Sequence, residues 1–228
     1  MKNRKLKVIA YINTDFPEKF GIPRQSGLIP ELKSEIVFEE EYRDPSALKG
    51  IEGFSHLWLL WDFSRVEDTS WRPTVRPPRL GGNKRMGVFA TRSPFRPNPI
   101  GLSCVKLEEV KETEKGMVLV VSGADLMDKT PILDIKPYLP FTDCIPQAIG
   151  GFAEDVYADK LKVEISNELK SVFPLEKLSS LIAVLKSDPR PAYQNDPQRE
   201  YGFDFSGYSI TFKVSGNILK VIKIEKTV

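Results

Sequence analysis

A loop rich in proline and arginine separates two apolar segments near the middle of the chain. The residues before it, Gly87 to Ala90, are typical of the end of a buried strand, and a second strand is predicted to begin at Ile100. Residues 91–99 contain three prolines, each of which fixes its own φ angle and favours extended geometry in the residue before it. The sequence therefore predicts a stiff loop with little conformational freedom to lose on folding.

Two arginines of this loop, Arg92 and Arg96, are predicted to project from the stiff backbone. Guanidinium groups held in this way bind a carboxylate or a phosphate with little further loss of entropy. A rigid surface loop with solvated arginines is the alternative interpretation of either residue taken alone.

Positive charge is concentrated around the same loop. The formal net charge of the 228-residue chain is +2, but the range 69–107 holds eight Lys or Arg residues and no Asp or Glu, against 25 basic and 31 acidic residues elsewhere. Such a segment is typical of a nucleic-acid-binding face, because neutralising phosphates releases counterions. Basic patches also bind sulfate, nucleotides and acidic proteins, so charge alone leaves these partners open.

The composition argues against several other classes of protein. The N-terminus has too short an apolar stretch for a signal peptide and no segment is long enough to span a membrane, so we expect a cytoplasmic protein without a membrane partner. The only cysteines are Cys104 and Cys144, and the chain has a single histidine, which offers no zinc site. Both thiols are expected to be buried in a reducing compartment.

The spacing of apolar segments predicts the fold class. The first part of the chain has short strand-like segments joined by Pro- and Gly-rich connections, which predicts an all-β domain, either a barrel or a sandwich. The run F-S-H-L-W-L-L-W-D-F at 54–63 predicts a strand buried on both faces. Further on, a helix at 171–186 and a hairpin turn at 215–217 predict a small α+β domain. We therefore predict a mainly β protein with domains at 1–150 and 151–228.

Several motifs together resemble one family. They are P-E-K-F-G-I-P-R-Q-S-G-L at 17–28, G-F-S-H-L-W at 53–58, W-R-P-T-V-R-P-P-R-L-G-G-N at 71–83, G-V-F-A-T-R-S-P-F-R-P-N-P-I-G-L-S at 87–103 and D-I-K-P-Y-L-P at 134–140. The run D-P-R-P-A-Y at 188–193 is similar to the C-terminal domain of that family. The sequence thus resembles the TsaA-like family, and in particular its two-domain tRNA N6-threonylcarbamoyladenosine methyltransferases.

The resemblance implies an enzyme that transfers the methyl group of S-adenosylmethionine (SAM) to N6 of N6-threonylcarbamoyladenosine (t6A) at position 37 of the tRNA anticodon loop, giving m6t6A. It implies a β-barrel N-terminal domain that binds SAM, a C-terminal domain that assists tRNA recognition, and a homodimer with the cofactor site near the interface. Two alternatives stay open: a non-catalytic RNA-binding or SAM-sensing module, and a hydrolase or lyase acting on a nucleotide-like anion. No G-x-G-x-x-G motif follows a predicted strand, so SAM is not expected to bind in the Rossmann manner.

The resemblance and the basic loops together assign candidate site residues, with no metal ligand among them. The predicted cofactor-binding residues are Pro23, Arg24, Gln25, Ser64, Arg65, Arg92, Leu102, Asp125, Leu126, Met127 and Asp128. The predicted substrate- and RNA-binding residues are Arg72, Arg76, Arg79, Lys84, Arg85, Arg96, Asn98, Lys136, Tyr138, Arg190 and Tyr193.

Asp128 is also the candidate catalytic base. A carbamoylated N6 is a poor nucleophile because its lone pair is delocalised, so removal of its proton helps, and a carboxylate is a natural base. A turn-capping aspartate is an equally good interpretation of Asp128. The next residue, Lys129, departs from the family, whose members tend to have Gly there, and a positive φ at this position would strain a lysine.

Overall fold

The computed structural model describes residues 5–66, 70–77, 80, 82–153, 161–190 and 196–227. Two predicted site residues, Arg79 and Tyr193, lie outside the described residues. The described residues form a mainly β protein, as the sequence predicts. No helix among them is long and apolar enough to cross a membrane.

Six strands of the N-terminal part pair in a closed ring. The strands in this part are β1 (Ala10–Asn13), β2 (Lys33–Phe38), β3 (His56–Asp62), β4 (Thr74–Val75), β5 (Met86–Gly87), β6 (Ile100–Thr113), β7 (Gly116–Ser122) and β8 (Thr130–Pro137). The order β1-β2-β7-β6-β3-β8 closes because β8 pairs with β1, which makes a closed barrel with antiparallel neighbours. The short strands β4 and β5 form a separate two-stranded ribbon.

The alternation of side chains along the strands fills the barrel. In β3, Leu57 and Leu59 are fully buried, whereas Trp58 between them is half-buried on the outer face. The prediction that this strand is buried on both faces is therefore wrong, because successive residues of a barrel strand point alternately inward and outward. Further residues of this core are Ala10, Ile12, Ile36, Val105, Leu119, Val121 and Ile132.

The C-terminal part is β-rich. It contains β9 (Lys162–Glu164), α2 (Asn167–Ser171), α3 (Leu175–Lys186), β10 (Tyr201–Phe205), β11 (Tyr208–Ser215) and β12 (Ile218–Lys226), while a short helix α1 (Pro140–Asp143) precedes it. The sheet has the order β10-β11-β12-β9. The predicted hairpin turn at 215–217 is confirmed. The predicted helix at 171–186 is present but starts later: α3 begins at Leu175, Ser171 ends the separate helix α2, and Pro174 occupies the N-cap position of α3 without a side-chain cap.

One N-terminal segment packs on the C-terminal core. Phe16, Ile29 and Leu32 belong to the same apolar cluster as residues of β10, β11, β12 and α3. The rings of Phe16 and Phe205 meet edge to face at 5.2 Å. Lys177 of α3 lies 2.7 Å from a carboxylate oxygen of Asp15. The segment 15–32, which contains the whole of the first family motif, is therefore held between the barrel and the C-terminal sheet.

Candidate functional site

The turn at residues 23–27 lies against an edge of the barrel that β7 leaves uncovered. Strand β6 pairs with β3 over residues 100–106 but with β7 only from Lys106 onward, so β7 does not cover the first half of β6. The amide of Cys104 in that half donates a hydrogen bond to Oγ of Ser26 (3.0 Å). The 23–27 turn thereby replaces a strand partner at this point.

Two glycines allow the turn to approach the chain that follows β7. The amide of Gly27 donates to the carbonyl of Gly123 (2.8 Å), and the φ angles of the two residues are 78° and 77°. A Cβ on Gly123 would lie 3.2 Å from the Cα of Gly27. The positive φ angles favour glycine at both positions, and the close contact adds a steric requirement at Gly123.

The proline- and arginine-rich loop meets the 23–27 turn through two side chains. Nη1 of Arg92 donates a hydrogen bond to Oε1 of Gln25. The side-chain nitrogen Nε2 of Gln25 donates a hydrogen bond to the backbone carbonyl of Arg24 (2.5 Å). The structure therefore brings together three of the predicted cofactor-binding residues, from segments far apart in the sequence.

Asp125 places a carboxylate beside this contact. Its Oδ1 accepts a hydrogen bond from the hydroxyl of Ser103 (2.6 Å), and Ser103 accepts one from the indole nitrogen of Trp61 (2.9 Å). Desolvation raises the pKa of Asp125, while the Ser103 hydrogen bond and the positive charge of Arg92 oppose that rise. A partly desolvated carboxylate of this kind gains most from a cationic ligand group. Ser103 is not among the predicted site residues, although a serine at an inward-facing position of a barrel strand indicates a buried hydrogen bond.

The turn at residues 126–128 is hydrogen-bonded to Thr14, the residue that follows β1. Oδ1 of Asp128 accepts from the amide of Thr14 (3.0 Å), and the hydroxyl of Thr14 donates to the carbonyl of Leu126 (3.1 Å). Asp128 thus has the turn-capping contact that the sequence left open as one of its two roles. Lys129 has a φ of 61°, the positive value that would strain it, and its Nζ donates to Asn13 (2.5 Å).

Not every predicted cofactor residue presents its side chain to the site. Leu126 is 2% exposed in the barrel core, so a side-chain contact with a cofactor is excluded there and only its main chain remains available. Pro23 is buried and Met127 is half-buried. Leu102 is 49% exposed on the outer face of β6, and Ser64 and Arg65 are exposed just after β3.

Of the basic residues that the structure describes within 70–98, all except Arg96 are exposed, and they are called the basic surface below. The guanidinium of Arg72 lies 4.5 Å from the ring centre of Phe95, and Nη1 of Arg85 donates to Thr74 (2.9 Å). Arg76, Lys84 and Asn98 are exposed. Nη1 of Arg96 instead donates to the carbonyls of Thr91 (3.0 Å) and Ser93 (3.3 Å). Arg96 therefore braces its own loop, a role that the sequence did not indicate.

An aromatic cluster lies on the outer face of the barrel. The ring of Tyr138 is 5.7 Å from that of Trp58 and 6.2 Å from that of His56. Oδ2 of Asp143 accepts from the indole nitrogen of Trp58 and from the amide of Leu139, both at 2.9 Å. Neither Trp58 nor Asp143 is among the predicted site residues. Trp58 lies in the apolar run at 54–63, which is typical of a core strand, and Asp143 lies outside the family motifs.

Two sequence predictions need correction. Arg190 is not a free surface cation: it is 9% exposed, and its guanidinium makes two hydrogen bonds of 2.8 Å to Asp188. Cys144 is exposed rather than buried, because the chain leaves the barrel after β8, whereas Cys104 is partly buried and desolvation raises the pKa of its thiol. The predicted RNA contact of Lys136 stays a prediction, because its side chain is 61% exposed while it pairs with Asp134 at 2.8 Å.

No group of three or more His, Cys, Asp or Glu residues in the described part of the chain could hold a metal ion. The SAM site predicted from the resemblance can be tested against the side chains that are present. A cationic ammonium fits the desolvated Asp125, and a ligand carboxylate fits Arg24 or Arg92. The residues therefore fit an amino-acid moiety such as that of SAM.

Comparison with known proteins identifies the family of the chain. The family model of the tRNA-methyltransferase O N-terminal domain matches residues 11–144, and that of the TrmO C-terminal domain matches residues 158–227. The tRNA (adenine(37)-N6)-methyltransferase of Escherichia coli is 41% identical over 99% of both chains. A Pyrococcus abyssi protein named "Probable S-adenosyl-L-methionine-binding protein" is 38% identical over 59% of this chain and 68% of its own. The crystal structure of TrmO from Pseudomonas aeruginosa superposes with a TM-score of 0.81 and 31% identity, covering 99% of this chain and 98% of that chain.

The closed barrel, its inserted turn and these matches define the class of the protein, a SAM-dependent tRNA methyltransferase that does not use a Rossmann fold. Within that class, the chain belongs to the tRNA-methyltransferase O family.

Proposed function

We propose that this protein methylates N6 of t6A at position 37 of the tRNA anticodon loop, using SAM. The observation that carries the proposal is the hydrogen bond from Arg92 to Gln25, because it joins two of the motifs that resemble the family into one site. The E. coli relative, which spans the same length, is named as a methyltransferase of N6 of adenine 37.

The chain's own residues suit the two charged ends of the methionine part of SAM. Asp125 offers a carboxylate to the ammonium group, and Arg92 offers a guanidinium to the carboxylate. Leu102 adds an exposed apolar surface on the same strand as Ser103. When bound, SAM supplies an electrophilic methyl carbon. Holding that carbon in line with the nucleophile accounts for much of the acceleration in reactions of this kind.

Asp128 is the proposed acceptor of the N6 proton. Its Oδ1 is held by the amide of Thr14, which fixes the orientation of the carboxyl group. The second oxygen can then accept a proton from N6 as the new bond to carbon forms. Asp125 and Asp128 lie in the turn that follows β7, so the proposed ammonium ligand and the proposed base come from one short segment.

The RNA face is proposed to combine the basic surface with the aromatic cluster. Arg76, Lys84 and Arg85 are exposed and suit the phosphates of the anticodon arm. Adenosine 37 lies in a loop, so it can leave the stack without opening a duplex, and Tyr138 offers a ring on which the base can stack. The C-terminal part is proposed to assist tRNA methylation by fixing the position of the 23–27 turn.

We also propose a cytoplasmic homodimer with domains at 1–150 and 151–228. The segment after β8 exposes large apolar side chains: Phe141 is 87% exposed, Ile145 65% and Ile149 86%. Exposed apolar patches of this kind mark interaction surfaces. The segment is tied to the outer barrel face by Asp143 and Trp58, which would place a second copy close to the aromatic cluster.

The test is single-turnover methyl transfer to tRNA that carries t6A, followed by mass spectrometry of the nucleosides. The proposal expects m6t6A at position 37, with much less product from the same tRNA lacking the threonylcarbamoyl group. Asp128→Asn is expected to bind SAM but to lose about 100-fold or more in rate, the usual contribution of a general base. SAM binding without methyl transfer by the wild type would instead support a SAM-sensing module.

A further inference from the structure

The 15–32 segment is fastened to the C-terminal part at several points. The backbone amide of Ser206 donates to the carbonyl of Asp15 (2.8 Å), and the hydroxyl of Ser180 donates to the carbonyl of Glu31 (2.7 Å). A Cβ on Gly21 would lie 2.6 Å from the ring of Phe203, so the backbone rests directly on the C-terminal sheet. Both ends of the segment that contains the 23–27 turn are therefore fixed by residues of the C-terminal part.

One further contact reaches the turn itself. Nη2 of Arg24 donates a hydrogen bond to the backbone carbonyl of Arg190 (3.2 Å). The side chain of Arg190 folds back onto Asp188, and the amide of Arg190 also donates to that carboxylate (3.3 Å). Asp188, Pro189 and Arg190 thus form a closed turn, which fixes the carbonyl that Arg24 contacts.

The burial of Arg190 agrees with a positioning role rather than an RNA contact. Its side chain is 9% exposed, and its Nη1 is buried without a hydrogen-bond partner among the described residues. A guanidinium in this position is held by a single carboxylate, and removing that carboxylate would leave a buried charge without compensation. The geometry of the turn is therefore sensitive to Asp188.

We propose that Arg190 and Asp188 are positioning residues for the cofactor site. The backbone carbonyl of Arg190 accepts a hydrogen bond from the Arg24 side chain, and the carbonyl of Arg24 accepts one from the Gln25 side chain. Gln25 in turn accepts a hydrogen bond from Arg92, so the three contacts form one chain. This inference rests on the proposed SAM site, and it assigns to the C-terminal part a role in cofactor affinity that is independent of RNA.

The test is calorimetric titration of SAM into the full-length protein in the absence of RNA. Asp188→Asn is expected to weaken SAM binding about three- to tenfold, the factor that one or two lost hydrogen bonds supply. Arg190→Lys, which keeps the cation but loses the paired hydrogen bonds, is a milder second variant with the same expected direction. Glu200→Gln breaks an exposed ion pair with Lys213 in the same part of the chain and is expected to leave SAM affinity unchanged.

Two further readouts separate positioning from general loosening of the fold. In a double-mutant cycle, Asp188→Asn combined with Arg24→Ala is expected to bind SAM no more weakly than the weaker single variant, because both interrupt the same chain of contacts. At saturating SAM the rate of methyl transfer by Asp188→Asn is expected to return to that of the wild type, so that KM changes and kcat does not.

The inference is overturned if Asp188→Asn and Arg190→Lys both bind SAM as the wild type does. If the same variants also bind tRNA more weakly, Arg190 contributes to RNA binding instead. Absence of SAM binding by the wild type would instead overturn the proposed function itself, and this is seen before any variant is measured.

Discussion

Arg92 and Gln25 are 67 residues apart in the sequence, yet their side chains share a hydrogen bond. Arg92 comes from the proline-rich loop and Gln25 from the turn that satisfies the uncovered edge of β6. The contact explains how two stiff, irregular segments become one site. Neither segment is a regular element, but the proline-rich loop leads directly into β6, and the segment that contains the turn is fastened to the C-terminal part at both ends.

Gly101 is expected to be essential for the barrel because of Trp61. A Cβ at position 101 would lie 2.1 Å from the indole ring of Trp61, which is itself hydrogen-bonded to Ser103. Gly101→Ala is expected to lower the free energy of unfolding by about 1–3 kcal/mol, the usual cost of overpacking. Gly87→Ala is the matched control, because its Cβ would meet open space at a φ of −58°. Equal urea midpoints for the two variants would contradict this explanation.

Much of this architecture is readable in the sequence, but the close contacts are not. Apolar alternation predicts the strands, and the three prolines of residues 91–99 predict a stiff loop. The alternation in Y-G-F-D-F also marks β10, which the sequence interpretation did not include; Tyr201, Phe203 and Phe205 point into the core. The burial of Arg190 could not be predicted, because it arises in the tertiary fold, where its guanidinium is bonded to Asp188 and lies near Tyr201 of β10, and no local pattern encodes that arrangement.

Backbone strain at Lys129 is expected to be measurable. The residue has a φ of 61°, which costs a side-chain-bearing residue about 1–2 kcal/mol relative to glycine. Lys129→Gly is therefore expected to be more stable to urea than Lys129→Ala by about 1 kcal/mol. The alanine variant is the control, since both variants lose the hydrogen bond to Asn13. An alanine variant as stable as the glycine variant would exclude strain at this position.

The carboxyl group of Asp125 is expected to lower stability at neutral pH. Because its pKa is raised in the folded protein, its stabilising contribution is complete below the ordinary carboxyl pKa, about 4, and is lost as the pH rises through the folded value. Asp125→Asn is therefore expected to be more stable than the wild type at pH 7, with a difference that disappears below about pH 4. The same variant is expected to bind SAM about tenfold or more weakly, since a charge-assisted contact is lost. Urea unfolding at several pH values and SAM titration measure the two effects, and a pH-independent difference would contradict the first.

The basic surface is expected to make tRNA binding strongly dependent on salt. Each phosphate contact contributes a slope of about −0.7 to −0.9 to a plot of log affinity against log salt concentration. Arg76→Ala is expected to weaken tRNA binding and to reduce the magnitude of that slope by about one contact. Lys115→Ala, in the turn between β6 and β7, is the matched control and is expected to change neither quantity. An affinity that barely changes with salt would exclude residues 70–98 as the RNA face.

Titration of SAM into the wild type and into Arg92→Ala shows whether the proline-rich loop and the 23–27 turn form one cofactor site. The wild type is expected to bind SAM without RNA, and the substitution is expected to weaken binding about tenfold or more, because one guanidinium serves both the ligand and Gln25. Arg76→Ala removes an equal charge from the basic surface and is expected to bind SAM as the wild type does. Equal SAM affinity for Arg92→Ala and the wild type would contradict the account, because the loop and the turn would then not form one cofactor site.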